Sequence, residues 1–190
     1  MKGRVTRDDW FRMMTGAAVR IREQKLWLSR LDSAAGVGDH VATMLRAVSC
    51  LEGAFSPVKS ADLKSSFCQA GWNVPGADGG ASISLPGTLF LDMSAAVAAD
   101  SSSLDCAPAV ESLQAAAAGG KGIESILEEA ANDASAGAAA TKDLTARYGR
   151  ARFPGEKTRG HQDPGATSVV LMFEGFYRGL AELKGEGIHA

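Results

Sequence analysis

Across this 190-residue chain, apolar and polar residues never alternate with period two over a sustained stretch, which all but removes the half-buried β-strand as a building block. β-branched and aromatic residues are sparse and alanine is abundant, which points the same way. Helical periods are present instead. Thr6 reads as an N-cap with Asp9 three residues on, a variant of the capping box. Trp10, Met14, Ala17, Ala18, Ile21 and Leu28 then share one face of a helix expected to reach about Arg30. Further helices are expected over 41–55, 60–72, 85–99, 105–118, 122–134 and 136–148, with a last one opening near Gly165. Breaks fall at Pro57, at the Gly76–Gly80 segment and at Gly119-Gly120. The fold class expected is all-α: one domain over residues 1–190, an eight-helix antiparallel up-and-down bundle or barrel with its site at one end. The helical-period aromatics Trp10, Trp27, Phe173 and Phe176 are expected in the core.

Bulk properties narrow the partners. A hydrophobic content of 45% with 22% charged residues is that of an ordinary globular chain. A formal net charge of -2 and scattered basic residues give no reason to expect nucleic acid or an anionic membrane. Cys50, Cys68 and Cys106 lie far apart, without a CxxC pair, and are expected as free, packed thiols in a reducing compartment. The N-terminus has no apolar h-region and no apolar run spans a bilayer, so a cytoplasmic location is expected.

Three inter-helix segments carry more polar chemistry than connectors need, and in an up-and-down bundle they would gather at one end. The first, 31–40, offers Asp32, Asp39 and His40 among small residues, a plausible hard-cation site. On local pattern alone, Asp39 reads first as the N-cap of the next helix. The second, 76–82, sets Gly79, Gly80, Ala81 and Ser82 ahead of a helix, where backbone N–H groups suit an anion, although a plain connection has the same pattern. The third, 160–168, packs His161, Gln162 and Asp163 against a Pro164-Gly165 turn, and Arg150 upstream suits an oxyanion. His161 reads as a residue that structures this segment rather than a general base, and His189 as a tail residue. Together the segments describe a cation, an anion cradle and a polar lid, the requirements of phosphoryl transfer.

These residues resemble the signature of the nucleotide-binding L-subunit family of dihydroxyacetone kinases. That family carries LDxxIGDxDHG, GGASGPLxGT and GHQDPGATS in order. Here stand Leu31-Asp32, Gly36, Asp39-His40; Gly79-Gly80-Ala81-Ser82, Leu85, Gly87-Thr88; and 160–168 complete. The resemblance implies an eight-helix barrel binding Mg²⁺ (one or two ions) with ADP or ATP. Its partners would be a K-type dihydroxyacetone-binding subunit acting in trans and, in coupled versions, a phosphotransferase-system phosphocarrier. By resemblance Asp32 and Asp39 are metal ligands, His40 is the candidate catalytic residue, and His40 and Thr43 border the phosphates. Gly79, Gly80, Ala81 and Ser82 form the phosphate loop, Arg150, Asp163, Pro164 and Gly165 the nucleotide-facing lid, and Ile123 stands near the base. Four departures accompany the match. Val37 takes the place of the family's middle aspartate, Val41 a glycine, Ile83-Ser84 a Gly-Pro pair and Gly122 a threonine. Asp78 is either a replacement carboxylate or a solvated loop residue. The pattern fits a phosphotransferase subunit, or a nucleotide-binding regulatory module impaired at its metal site.

Overall fold

The structure is a computed structural model, which describes residues 4–35, 38–56, 62–74, 87, 90–95, 103–105, 122–146, 152 and 155–181. Within these, helices dominate: α1 (Arg7–Glu23), α2 (Lys25–Ala35), α3 (His40–Phe55), α4 (Leu63–Asn73), α5 (Ile123–Ala140) and α6 (Pro164–Ala181). Residues 90–95 are also helical, and 3-10 turns occupy Thr141–Asp143 and Gly155–Thr158. The predicted all-α class holds, with one addition. Arg4–Thr6 (β1) pairs antiparallel with Ser103–Asp105 (β2), Val5 opposite Leu104. Three-residue strands are too short to leave a readable alternation.

Helix α1 opens as its sequence predicts. Thr6 accepts from the Asp9 amide at 3.2 Å, and Asp9 accepts from the Thr6 amide at 3.0 Å, a reciprocal capping box. The helix stops earlier than expected. Gln24 leaves helical geometry and α2 restarts at Lys25, so Leu28 turns in to pack with Ile21, Met44, Val48 and Leu171. No glycine or proline marks this bend; packing decides it. Conversely, the two helices expected over 122–148 begin as one, α5, continuous to Ala140 because an alanine-rich run holds its helix through Gly137. Asp105, expected to open a helix over 105–118, instead ends β2; the rest of that helix, most of 85–99 and the C-terminal tail with His189 lie outside the described residues.

Helices α1 and α6 form the spine. Gly16, Gly175 and Gly179 remove side chains where the two backbones meet: a Cβ on Gly175 would run into the Ala17 backbone, and one on Gly179 into the Arg12 carbonyl. Arg20 reaches from α1 to Glu174 on α6, its Nε 3.0 Å from the carboxylate. Around this spine, Trp10, Phe55, Phe67 and Phe90 form an aromatic cluster between α1, α3 and α4, with the Trp10 and Phe67 rings edge to face at 5.0 Å. Trp27 is a correction to the expected core, since 40% of it is exposed on α2. Cys50 and Cys68 are free and half-buried. No helix of the described residues is long and apolar enough to cross a membrane.

Candidate functional site

The first motif is built across the junction of α2 and α3. Asp32 lies in the last turns of α2, not in a loop, and only 4% of it is exposed. Its Oδ2 accepts the His40 amide at 2.9 Å, satisfying one of the donors that a helix N-terminus leaves unpaired. Asp39 holds the N-cap position of α3 but makes no side-chain capping bond. The two aspartates thus divide the work that the sequence assigned to Asp39 alone: Asp32 caps from eight residues upstream, and Asp39 supplies the position. Gly38, between them, has φ 84°, the left-handed conformation that glycine adopts without strain.

His40 joins this junction to α6. The imidazole is buried, with Nε2 2.7 Å from the Ser168 hydroxyl. Ser168, 2% exposed, in turn donates to the Pro164 carbonyl at 3.1 Å. Burial lowers the His40 pKa below its ordinary value, against the opposing pull of Asp32, Asp163, the Pro164 carbonyl and Asp39. The neutral imidazole is therefore the resident form near neutral pH.

The third motif is a helix start fixed to the end of α5. Asp163 caps α6, its Oδ2 accepting from the Ala166 amide at 2.6 Å, and Pro164 fills the first helical position, where a missing N–H costs nothing. The Asp163 amide donates to Thr141 Oγ1 at 2.9 Å, and the Gly160 amide, at φ 87°, donates to the Lys142 carbonyl at 2.7 Å. Gln162 donates to Thr167 Oγ1 at 3.0 Å. The polar residues of this motif thus brace the turn, and His161 stands exposed beside it.

Asp32, Asp39, His40, Asp163, Pro164 and Gly165 are brought to one end of the bundle. Thr43 is buried one turn into α3, its Oγ1 accepting from Arg46 at 3.3 Å. Below them runs a narrow apolar cleft of about 60 Å³ between α3 and α6, in which His40 and Ser168 are the polar side chains. Ile123 is not brought there. It packs with Val5, Met13, Leu127 and Leu180, and Leu180 lies roughly 18 Å along α6 from Ser168 at 1.5 Å per residue. Val37, Asp78, Gly79, Gly80, Ala81, Ser82 and Arg150 lie outside the described residues.

Three aspartates act electrostatically on one buried imidazole, an excess of negative charge that suits a hard cation. They do not converge on a point: among the described residues, no group of three or more His, Cys, Asp or Glu is set to enclose a metal ion. Asp32 has one oxygen committed to α3. The donor set fits a cation held by one or two carboxylates, with its other positions filled by phosphate and water, which is how Mg²⁺ is commonly bound.

The DAK2 domain matches residues 104–178. The chain is 38% identical over 186 residues to the ADP-binding subunit DhaL of a PEP-dependent dihydroxyacetone kinase of Listeria innocua, covering 87% of this chain and 93% of that one. It is 33% identical over 169 residues to the ADP-binding subunit DhaL of a PTS-dependent dihydroxyacetone kinase of Lactococcus lactis, covering 82% and 88%. The chain belongs to the DhaL family of dihydroxyacetone kinase subunits. A third relative, the ADP-binding DhaL subunit of the Escherichia coli PEP-dependent enzyme, is 43% identical over 67 residues, 35% of this chain and 32% of its own.

Within this DhaL-family chain, sequence reasoning missed two side chains. Ser168 reads as a first-turn capping hydroxyl, and nothing local signals that a histidine 128 residues away will reach it. Thr141 reads as the middle of a helix, yet it ends α5 and holds the Asp163 amide.

Proposed function

We propose that this chain binds ADP or ATP with Mg²⁺ and passes a phosphoryl group to dihydroxyacetone, or a related short ketose, held by a separate K-type subunit. The observation that carries the reading is the 2.7 Å contact between His40 and Ser168, which draws the Asp32/Asp39 junction and the Asp163-Pro164-Gly165 turn to one end of the bundle. Phosphoryl transfer asks a protein mainly for positioning and charge neutralisation, and these two motifs supply both. Asp32 and Asp39 would hold the Mg²⁺, whose charge offsets that of the phosphates when bound. The chain's own part is to present His40, Thr43 and the start of α6 to the nucleotide, with 79–82 and Arg150 supplying the phosphate loop and the oxyanion-binding arginine that the family signature implies. The names of the Listeria and Lactococcus relatives favour a phosphocarrier, fed ultimately by phosphoenolpyruvate, as the source that recharges bound ADP. Single-turnover transfer from nucleotide-loaded protein to dihydroxyacetone on a K-type partner is the test. Formation of the ketose phosphate is expected, and a complex that leaves every short ketose unphosphorylated refutes the catalytic reading.

Val37 favours a second reading, a nucleotide-binding regulatory module that does not turn over. A valine cannot ligate, and two carboxylates must then suffice where the family signature has three. On this reading Val37→Asp creates or sharply raises transfer; on the first reading it strengthens Mg²⁺ binding in a subunit that already works.

A further inference from the structure

The Ser168 hydroxyl has one hydrogen and two neighbours. The Pro164 carbonyl can only accept, and Ser168 Oγ sits 3.1 Å from it, one helical turn back, in the arrangement by which serine bonds a preceding carbonyl. With that hydrogen on Pro164, the side of Oγ facing His40 is a lone pair. His40 Nε2, 2.7 Å away, must then carry a hydrogen of its own. Both side chains are buried, which leaves little bulk water to compete for these contacts.

We infer that Ser168 is a positioning residue for His40: its hydroxyl fixes the imidazole ring and holds it as the Nε2–H tautomer. Nδ1 is then the ring nitrogen left for a ligand. It offers a lone pair, which accepts a proton or a hydrogen bond and cannot donate one to a phosphate oxygen. The same hydroxyl ties the start of α6, through the Pro164 carbonyl, to the first turn of α3, so the nucleotide-facing turn and the aspartate junction keep one register. The catalytic weight of this role rests on the phosphotransferase reading above; the tautomer does not.

The test is nitrogen NMR on the full chain, labelled with ¹⁵N and free of nucleotide, at a pH where histidine is neutral. The chain has only 3 histidines, and His40→Gln identifies the signals of His40. The wild type is expected to show Nε2–H. Ser168→Ala is expected to mix the tautomers, and Ser168→Thr, which keeps the hydroxyl and has the cleft to receive its methyl, to restore the wild-type pattern. An Nδ1–H wild type, or a Ser168→Ala spectrum unchanged at His40, overturns the inference. Should Ser168→Ala fail to fold, the wild-type and Ser168→Thr spectra still decide it. In transfer assays Ser168→Ala is expected to slow turnover roughly tenfold while Ser168→Thr recovers it, the scale on which such supporting hydrogen bonds act. A wild type with the Nε2–H tautomer and no turnover would sink the phosphotransferase reading and leave the Ser168 assignment standing.

Discussion

The α1–α6 spine and the polar end of the bundle are both buried, and they are built on opposite principles. Along the spine Gly16, Gly175 and Gly179 let backbone meet backbone, and the polar bridge across it, Arg20 to Glu174, sits at its partly exposed margin. At the polar end Asp32, His40, Thr43, Thr167 and Ser168 are all buried, and Asp32, His40, Thr167 and Ser168 bond across the α2–α3 junction or through the turn that starts α6. Apolar contact is non-directional and stabilises wherever it forms, whereas a buried polar group stabilises only when its partner is present. The spine therefore specifies the fold, and the polar end draws on the rigidity of the spine to hold a constellation that folding alone does not require.

The largest expected effect lies in the spine. Gly175→Val sets a branched side chain against the Ala17 backbone and forces the helices apart, at a cost of about 3 kcal/mol or failure to fold, since neither backbone can yield locally. Urea denaturation measures it. A variant as stable as the wild type would show that the close approach of α1 and α6 is dispensable.

Next comes Asp32, which separates stability from function at the polar end. Asp32→Ala leaves the buried His40 amide without its partner and is expected to cost about 1–3 kcal/mol. Asp32→Asn keeps an accepting oxygen and removes the charge, so it is expected to retain most of the stability while losing Mg²⁺-dependent nucleotide binding. Equal loss of stability in both variants would mean that the charge, and not the hydrogen bond, holds α3.

A smaller effect concerns pH. His40 binds its proton less readily in the folded chain than in the unfolded one, so acidification favours the unfolded chain. Its contribution to stability is fully present above the ordinary histidine value of 6.5 and is lost as pH falls from there through the lowered folded value. Paired urea titrations of the wild type and His40→Gln check this. The wild type is expected to lose more stability than the variant on going from neutral to mildly acidic pH, and identical slopes would rule His40 out as the cause. Smallest is Gly137→Ala on the exposed side of α5, where an added Cβ meets nothing within 4 Å. A gain of about 0.5–1 kcal/mol is expected from helix propensity alone, the opposite sign to Gly175→Val.

The same contrast explains what the sequence revealed. The apolar face of α1, its Thr6–Asp9 capping box and the opening of α6 near Gly165 were legible because they depend on neighbours three or four residues away. The bend at Gln24, the exposure of Trp27 and the β1–β2 pair were not, because distant packing sets them and no local signal marks them. At the polar end the residue types were legible and their divisions of labour were not. Asp39 carries the sequence pattern of a cap, yet Asp32 makes the bond. Ser168 carries the pattern of a helix start, yet it meets His40. Ile123 shows the converse: a position assigned by resemblance alone packs with the opposite end of α6.

The central claim is that the polar end is a nucleotide site that works through a cation. Titration calorimetry of ADP into nucleotide-stripped protein, with Mg²⁺ and then with EDTA, tests it most directly, with Asp32→Asn as the paired variant. The account predicts binding that weakens at least about tenfold in EDTA, a difference of roughly 1.4 kcal/mol, and that Asp32→Asn loses the Mg²⁺ enhancement while staying folded. Equal affinity in Mg²⁺ and EDTA, or an Asp32→Asn protein that binds as the wild type does, would contradict it.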